Sequence, residues 1–488
     1  MKSRIIVILI LFYTILLAQT PPDTLWTNTY GDANNDSSTC IRQTTDGGYI
    51  IVGNTDPDGN EMNDIWLIKT DENGNQVWDA IFGGDQNDFS IIGQQTSDGG
   101  FIIIGTTESF GIGMQDFWLI KTDENGNEEW NQTYGSIEND RAQYVEQTAD
   151  GGFILTGGTG NLEDDHQDFW LIKTDEYGNM EWEQTYGGTG NEKAYTVHQN
   201  PDGSYILSGL TESFGNGAFD MWLIKTDEFG NELWNRTFGG TENENAYSMQ
   251  ILPNGGYILA GVTKSYGQGD YDVWLIEVDS LGFEIWNETY GTPQVDYCYS
   301  VDITSDGNYV LGGLTNSTPN SDFDVLAIKV SDQGEELWTA KVGGSLNDFA
   351  IFVEQTDDGG YILTGYSNSF GNGDNDIYAV KLDADNINSS DEIFNKPSGL
   401  NFLNYPNPFN PSTTISFDLI TKDVQDAKLE IYNLKGQKIR QYSIFNDQSS
   451  IIWDGTDEAR NRVSSGIYFS VLKNNGNTLT SKKMLLFK

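Results

Sequence analysis

The chain has 488 residues and a formal charge of −47, and residues 1–395 hold 65 of its 73 acidic side chains but only 14 of its 26 basic ones. So acidic a body repels phosphate backbones, which excludes nucleic acid as a partner; it favours solubility outside a cell and tolerates or attracts divalent cations. Only 37% of residues are hydrophobic, yet 12% are aromatic and 55 are glycine, a mixture suited to short aromatic strands joined by tight turns and unsuited to long helices.

At the N-terminus, Lys2 and Arg4 precede an apolar run from Ile5 to Leu17, and Ala18 follows. This order predicts a secretory signal peptide over residues 1–18, cut after Ala18. The run is too short and wrongly flanked for a lasting anchor. No later run reaches membrane-spanning length, so the mature chain is expected to have no transmembrane segment. Cys40 and Cys298 occupy different repeat positions two units apart, which reads as two small buried residues rather than a disulfide.

From residue 23 to 383 one 52-residue unit recurs without insertion or deletion. Trp26, Trp78, Trp130, Trp182, Trp234, Trp286 and Trp338 keep that step, as do Asp64, Asp116, Asp168, Asp220, Asp272, Asp324 and Asp376. A DGG-type turn recurs from Asp46 to Asp358. Within a unit, alternation and turn residues predict four antiparallel strands, for example Asn87–Thr96, Phe101–Thr107, Asp116–Asp123 and Glu128–Gly135. Asn125–Gly126 supplies the positive-φ hairpin between the last two. Four strands in this length make one propeller blade.

The phase of the ends carries further information. The mature chain opens on a lone fourth strand (24–31), and the repeats end on a third strand (376–383) with no Trp strand after it. A closed ring in which the N-terminal strand completes the last blade removes the exposed edges. The expectation is an all-β fold, a seven-bladed β-propeller followed by a small immunoglobulin-like β-sandwich. Residues 175–188 and 202–209 resemble the seven-bladed propeller repeat of secreted bacterial proteins; the resemblance spans 23–383, and that family carries no common activity.

Periodicity stops over 384–400, which reads as a linker. Residues 404–419, 427–442, 451–472 and 482–488 then alternate apolar and polar residues between Gly and Asn turns, predicting a small β-sandwich over 401–488. These segments closely resemble the C-terminal sorting domain of type IX secretion. By that resemblance Pro406, Pro408, Gly466, Lys482 and Lys483 carry the sorting motif, the partners are the outer-membrane secretion and sortase machinery, and the cargo is secreted or joined to the outer cell surface. An ordinary immunoglobulin-like domain is the alternative.

Two series of residues are candidates for a site. Asp36, Asp88, Asp140, Glu192, Glu244, Asp296 and Asp348 place a carboxylate at one repeat position, so a ring at one channel mouth could hold Ca²⁺ or another hard cation. Strict repetition equally suits acids that cap their own turns. Six residues on, symmetry breaks at Arg42, Gln94, Glu146, His198, Gln250, Asp302 and Glu354, as expected either for channel ligand contacts or for channel residues solvated by trapped water. The turns at 71–75, 123–127 and 175–179 are faintly like calcium loops but lack the distal bidentate Glu. With only His166 and His198 present, the chain offers little for histidine triads or multi-histidine metal sites.

Two functions remain open. One is a non-enzymatic surface module for adhesion, for binding an extracellular glycan or protein, or for structure, expected as a monomer. The other is a secreted carbohydrate-active or other hydrolase with an acidic site at the channel mouth, which requires two non-equivalent carboxylates at catalytic separation in a cleft.

Overall fold

The computed structural model describes residues 19–57, 59–160, 166–316 and 322–385, and in the C-terminal part 402–405, 412–417, 427–433, 437–444, 450–464, 466–474 and 477–486. The chain divides into two compact units, residues 1–387 and 388–488. The described residues form strands and turns, and among them no helix is long and apolar enough to cross a membrane.

In the first unit each repeat is one four-stranded antiparallel sheet, with strands a to d hydrogen-bonded in chain order. The first is Ser37–Gln43, Tyr49–Thr55, Asp64–Thr70 and Gln76–Phe82. Strand b is buried along its whole length while strand d alternates exposed and half-buried residues, so b lies in the core and d at the rim. The last sheet is made of Asp348–Gln355, Tyr361–Ser367 and Asp376–Leu382, and its d strand is Thr24–Tyr30 from the opposite end of the chain. Asn28 stands opposite Ala379 in that ladder. The phase of the repeat predicts this pairing, and the pairing removes two free strand edges.

Neighbouring sheets meet through the repeated aromatics. The d-strand Trp of one sheet approaches the residue that opens strand b of the next, with ring centroids from 5.3 Å (Trp338–Tyr361) to 6.4 Å (Trp234–Tyr257). The last sheet meets the first in the same way, Trp26 against Tyr49 at 6.0 Å. Gly126 shows why the c–d turn needs glycine. Its φ is +80°, and a Cβ there would lie 2.5 Å from the Trp78 ring of the preceding sheet. Cys40 and Cys298 are buried free thiols.

The second unit has two sheets. One is Phe402–Tyr405, Thr413–Phe417 and Ser450–Trp453; the other is Lys438–Ser443, Lys428–Asn433, Gly466–Asn474 and Asn477–Leu486. Ile415, Phe417 and Trp453 of the first pack with Leu429, Ile431, Tyr468 and Leu472 of the second, which is the construction of a β-sandwich. Buried Glu430 is ringed by Lys438 at 2.9 Å, Lys473 at 2.8 Å and the Tyr432 hydroxyl at 2.6 Å. Burial alone would raise its pKa, but these three donors hold it at about 2.

Candidate functional site

The a strands are Ser37–Gln43, Asp88–Gln95, Arg141–Gln147, Glu192–Gln199, Glu244–Ile251, Asp296–Ile303 and Asp348–Gln355. Neighbouring a strands lie against each other, the first against the last included. Side chains from them line two voids that share Tyr144, Thr196, Ser248, Ser300 and Phe352 as common wall.

The structure does not converge the first acidic series. Each of the seven is 0–1% exposed, and each accepts the backbone N–H four residues earlier at 2.6–3.0 Å, as Asp88 does from Gly84 and Glu192 from Gly188. Six also accept a hydroxyl, among them Asp88 from Ser109 and Glu244 from Thr263. These carboxylates cap loops within their own repeats. Among the described residues no three His, Cys, Asp or Glu side chains are grouped to hold a metal ion. In the calcium-like turns Asp71 accepts the amides of Asn73 and Asn75, at 2.9 and 2.8 Å, so that carboxylate too is engaged by its own hairpin.

The second series is brought together. Arg42, Gln250, Asp302 and Glu354 line a void of about 30 Å³. Arg42 Nη1 lies 3.4 Å from Glu354 Oε2, and its guanidinium stands 5.0 Å over the Phe352 ring. His198 Nδ1 meets Glu146 Oε2 at 2.5 Å, and His198 Nε2 meets the Met249 carbonyl at 2.9 Å. Gln94 keeps the same register, opposite Ile102. The acids have a structural task here. Glu146, Asp302 and Glu354 accept the amides of Gln199, Gln355 and Gln43, each in the next sheet, at 2.9–3.0 Å, and so stitch consecutive a strands together. Burial pushes the Asp302 and Glu354 carboxyls up, with Arg42 opposing it. At Glu146 burial acts the same way, but His198 and the Gln199 amide outweigh it and its pKa is lowered.

The larger void, about 340 Å³, lies three residues back along the same strands, roughly 10 Å away. Each a strand carries a β-bulge here, as between Ala194 and Thr196, Ala246 and Ser248, or Cys298 and Ser300. A bulge re-aims its extra residue, and the extra residues are Thr39, Ile91, Gln143, Tyr195, Tyr247, Tyr299 and Ile351, all lining this cavity. Tyr195, Tyr247 and Tyr299 form an arc, with centroids 4.9 and 5.1 Å apart. Burial raises the pKa of all three phenols, with smaller contributions from one another at Tyr195 and Tyr299, so they remain protonated donors. Sequence reasoning missed this set because strict alternation counts no bulge. The signal was nonetheless present as a second 52-residue series that varies in side chain.

Of the sorting residues, Gly466 opens a strand at φ +150°, where a side chain is strained. Lys482 and Lys483 lie on the last strand opposite Ser470 and Phe469. Pro406 and Pro408 lie outside the described residues.

Residues 404–486 match the family of secretion-system C-terminal sorting domains. The chain is 25% identical to the regulatory protein FlaEY of Caulobacter vibrioides across 31% of this chain and 19% of that one. Among solved structures it is similar to PorZ, an essential surface component of the type IX secretion system of Porphyromonas gingivalis. That likeness has 12% identity and a TM-score of 0.43, over 94% of this chain and 60% of PorZ. It is also similar to Sqt1 of Chaetomium thermophilum, at 14% identity and a TM-score of 0.43 over 70% of this chain and 83% of Sqt1. The chain thus spans about a fifth of FlaEY and three fifths of PorZ. Its sorting domain marks a protein exported by type IX secretion, to be released outside the cell or attached to its outer surface.

Proposed function

We propose that the first unit is a seven-bladed β-propeller serving as a non-enzymatic binding module at the cell surface, with the tyrosine-lined mouth of its channel as the ligand site. On this reading residues 1–18 direct export to the periplasm. Pro406, Pro408, Gly466, Lys482 and Lys483 belong to the sorting signal, and a sortase removes the C-terminal domain. One observation carries the proposal. Positions that cap or stitch the sheets are engaged, whereas the bulged positions, free of the ladder, differ from repeat to repeat and face a 340 Å³ cavity. That volume lies at the lower end of the range for small-ligand sites, about 300–1,000 Å³.

The hydrolase reading is disfavoured by size. Asp302 and Glu354 are non-equivalent carboxylates beside one void, but about 30 Å³ accommodates roughly one water molecule. A saccharide does not enter it. The test is a screen of the exported chain on glycan and peptide arrays, beside the Tyr195→Ala/Tyr247→Ala/Tyr299→Ala variant. Binding by the native chain that is lost in the triple variant supports the reading, and binding that survives all three substitutions refutes it.

A further inference from the structure

We infer that the tyrosine-lined cavity takes a sugar ring bearing a carboxylate, with Lys193 as the cation that receives the acid; this inference rests on the reading of the cavity as a binding site. Arg141 and Lys193 hold the same repeat position in adjacent sheets, at the start of their a strands. Lys193 lines the cavity. In this acidic body, cations such as Lys69, Lys121, Lys173, Lys329 and Lys381 each sit on a carboxylate within 3.0 Å. Arg141 and Lys193 form no ion pair among the described residues. Arg141 Nε donates to Gln115 Oε1 at 2.6 Å, and Lys193 Nζ stands 5.1 Å over the Tyr195 ring.

Two adjacent cations without an acid repel each other, and the repulsion is relieved when an anion arrives. Burial lowers the pKa of Lys193 and the charge of Arg141 lowers it further. Beyond roughly 8 Å the acidic body is screened at physiological ionic strength, so these nearest charges decide the sign of the ligand.

The rest of the wall selects its shape. A pyranose has one face of C–H groups, which packs on aromatic rings as other apolar surfaces do, and the Tyr195–Tyr247–Tyr299 arc offers such rings around a space of suitable size. In the next sheet Asn245 donates to the Tyr247 hydroxyl at 2.8 Å while its Oδ1, buried, has no hydrogen-bond partner. The Asn245 bond fixes the Tyr247 hydroxyl at the cavity wall, where it is held to face a sugar hydroxyl. An acidic peptide would satisfy the cations but lacks the flat ring.

The test is calorimetric titration of the full exported chain with trigalacturonate, with neutral cellotriose and with triglutamate. We expect trigalacturonate to bind at least tenfold more tightly than either, with affinity falling as salt rises from 50 to 500 mM. Lys193→Gln should lose at least tenfold for trigalacturonate and leave cellotriose unchanged. Its melting temperature should not fall, because the substitution relieves the repulsion from Arg141. Arg141→Gln should show a smaller loss of the same kind. Equal affinity for trigalacturonate and cellotriose, equal affinity for triglutamate, no binding of trigalacturonate, or an unaltered Lys193→Gln overturns the assignment. The reading of the mouth as a binding site is judged separately, by the tyrosine variant on the arrays.

Discussion

A buried lysine on strand c is answered by the aspartate of the a–b turn in five sheets: Lys69–Asp46, Lys121–Asp98, Lys173–Asp150 and Lys381–Asp358 at 3.0 Å, and Lys329–Asp306 at 2.7 Å. In the fourth sheet Lys225 is half-buried and stands 5.9 Å over the Tyr257 ring instead. The fifth sheet reverses the pair. Glu277 stands where the lysine would be and accepts from Trp286 Nε1 and the Tyr309 hydroxyl at 3.0 and 3.1 Å, and the turn carries uncharged Asn254. Asn254→Asp alone therefore sets two carboxylates together and should lower stability by about 1 kcal/mol, a figure kept small because the turn is exposed. Adding Glu277→Lys should restore it. Urea unfolding of the single and double variants checks both, and an Asn254→Asp variant as stable as the parent contradicts the pairing.

The pH dependence follows from the same groups. Burial raises the Asp302 and Glu354 carboxyls above their ordinary range. The stability they contribute is present below the unfolded value and lost as pH rises through the folded one. At Asp46, Asp98 and Asp150 burial opposes ionisation, but the turn hydroxyl, the lysine and a backbone amide outweigh it and hold the pKa down. That contribution is present above the unfolded value and lost as pH falls through the folded one. Melting temperature should therefore rise as pH falls from neutral towards the ordinary carboxylate value of about 4, and drop below it. A profile that climbs steadily to pH 8 contradicts this balance.

At the scale of elements, the strand Thr24–Tyr30 is brought to its sheet from the opposite end of the first unit. Its junction, Trp26 on Tyr49 with the Tyr30 hydroxyl on the Gly74 carbonyl at 2.6 Å, copies the interior junction of Trp130 on Phe153 with Tyr134 on Gly178 at 2.6 Å. Trp26→Ala and Trp130→Ala should accordingly cost similar amounts, about 2–4 kcal/mol for a large side chain that is only partly buried. Chemical denaturation measures both, and a negligible cost at Trp26 would mean that the terminal strand does not hold the unit together. This pairing was legible in the sequence because the turns are marked by DGG and Asn-Gly and the repeat never slips. The bulge was not legible. Its flanking residues, as in Ala194–Tyr195–Thr196, offer no glycine or proline to announce it, and its existence is decided by the ladder opposite. The acids at 36, 88 and their equivalents were visible as a series, yet a repeated carboxylate cannot tell a cap from a ring of ligands until its partners are seen.

At the scale of the whole molecule, the proposed function places export and binding on separate units. Removing residues 404–486 should leave a folded first unit that accumulates in the periplasm, as cell fractionation would show; secretion of the truncated chain at the normal level contradicts the sorting role. The proposed binding makes a different demand, since one ligand in the tyrosine-lined cavity would touch residues far apart in sequence. Hydrogen exchange of the exported chain, with and without trigalacturonate or the ligand found on the arrays, tests this directly. The account predicts slowed exchange in a strands of several sheets around residues 143, 195, 247 and 299, at the 52-residue step, with the outer d strands unchanged. Protection confined to the d strands or to one surface loop would contradict it.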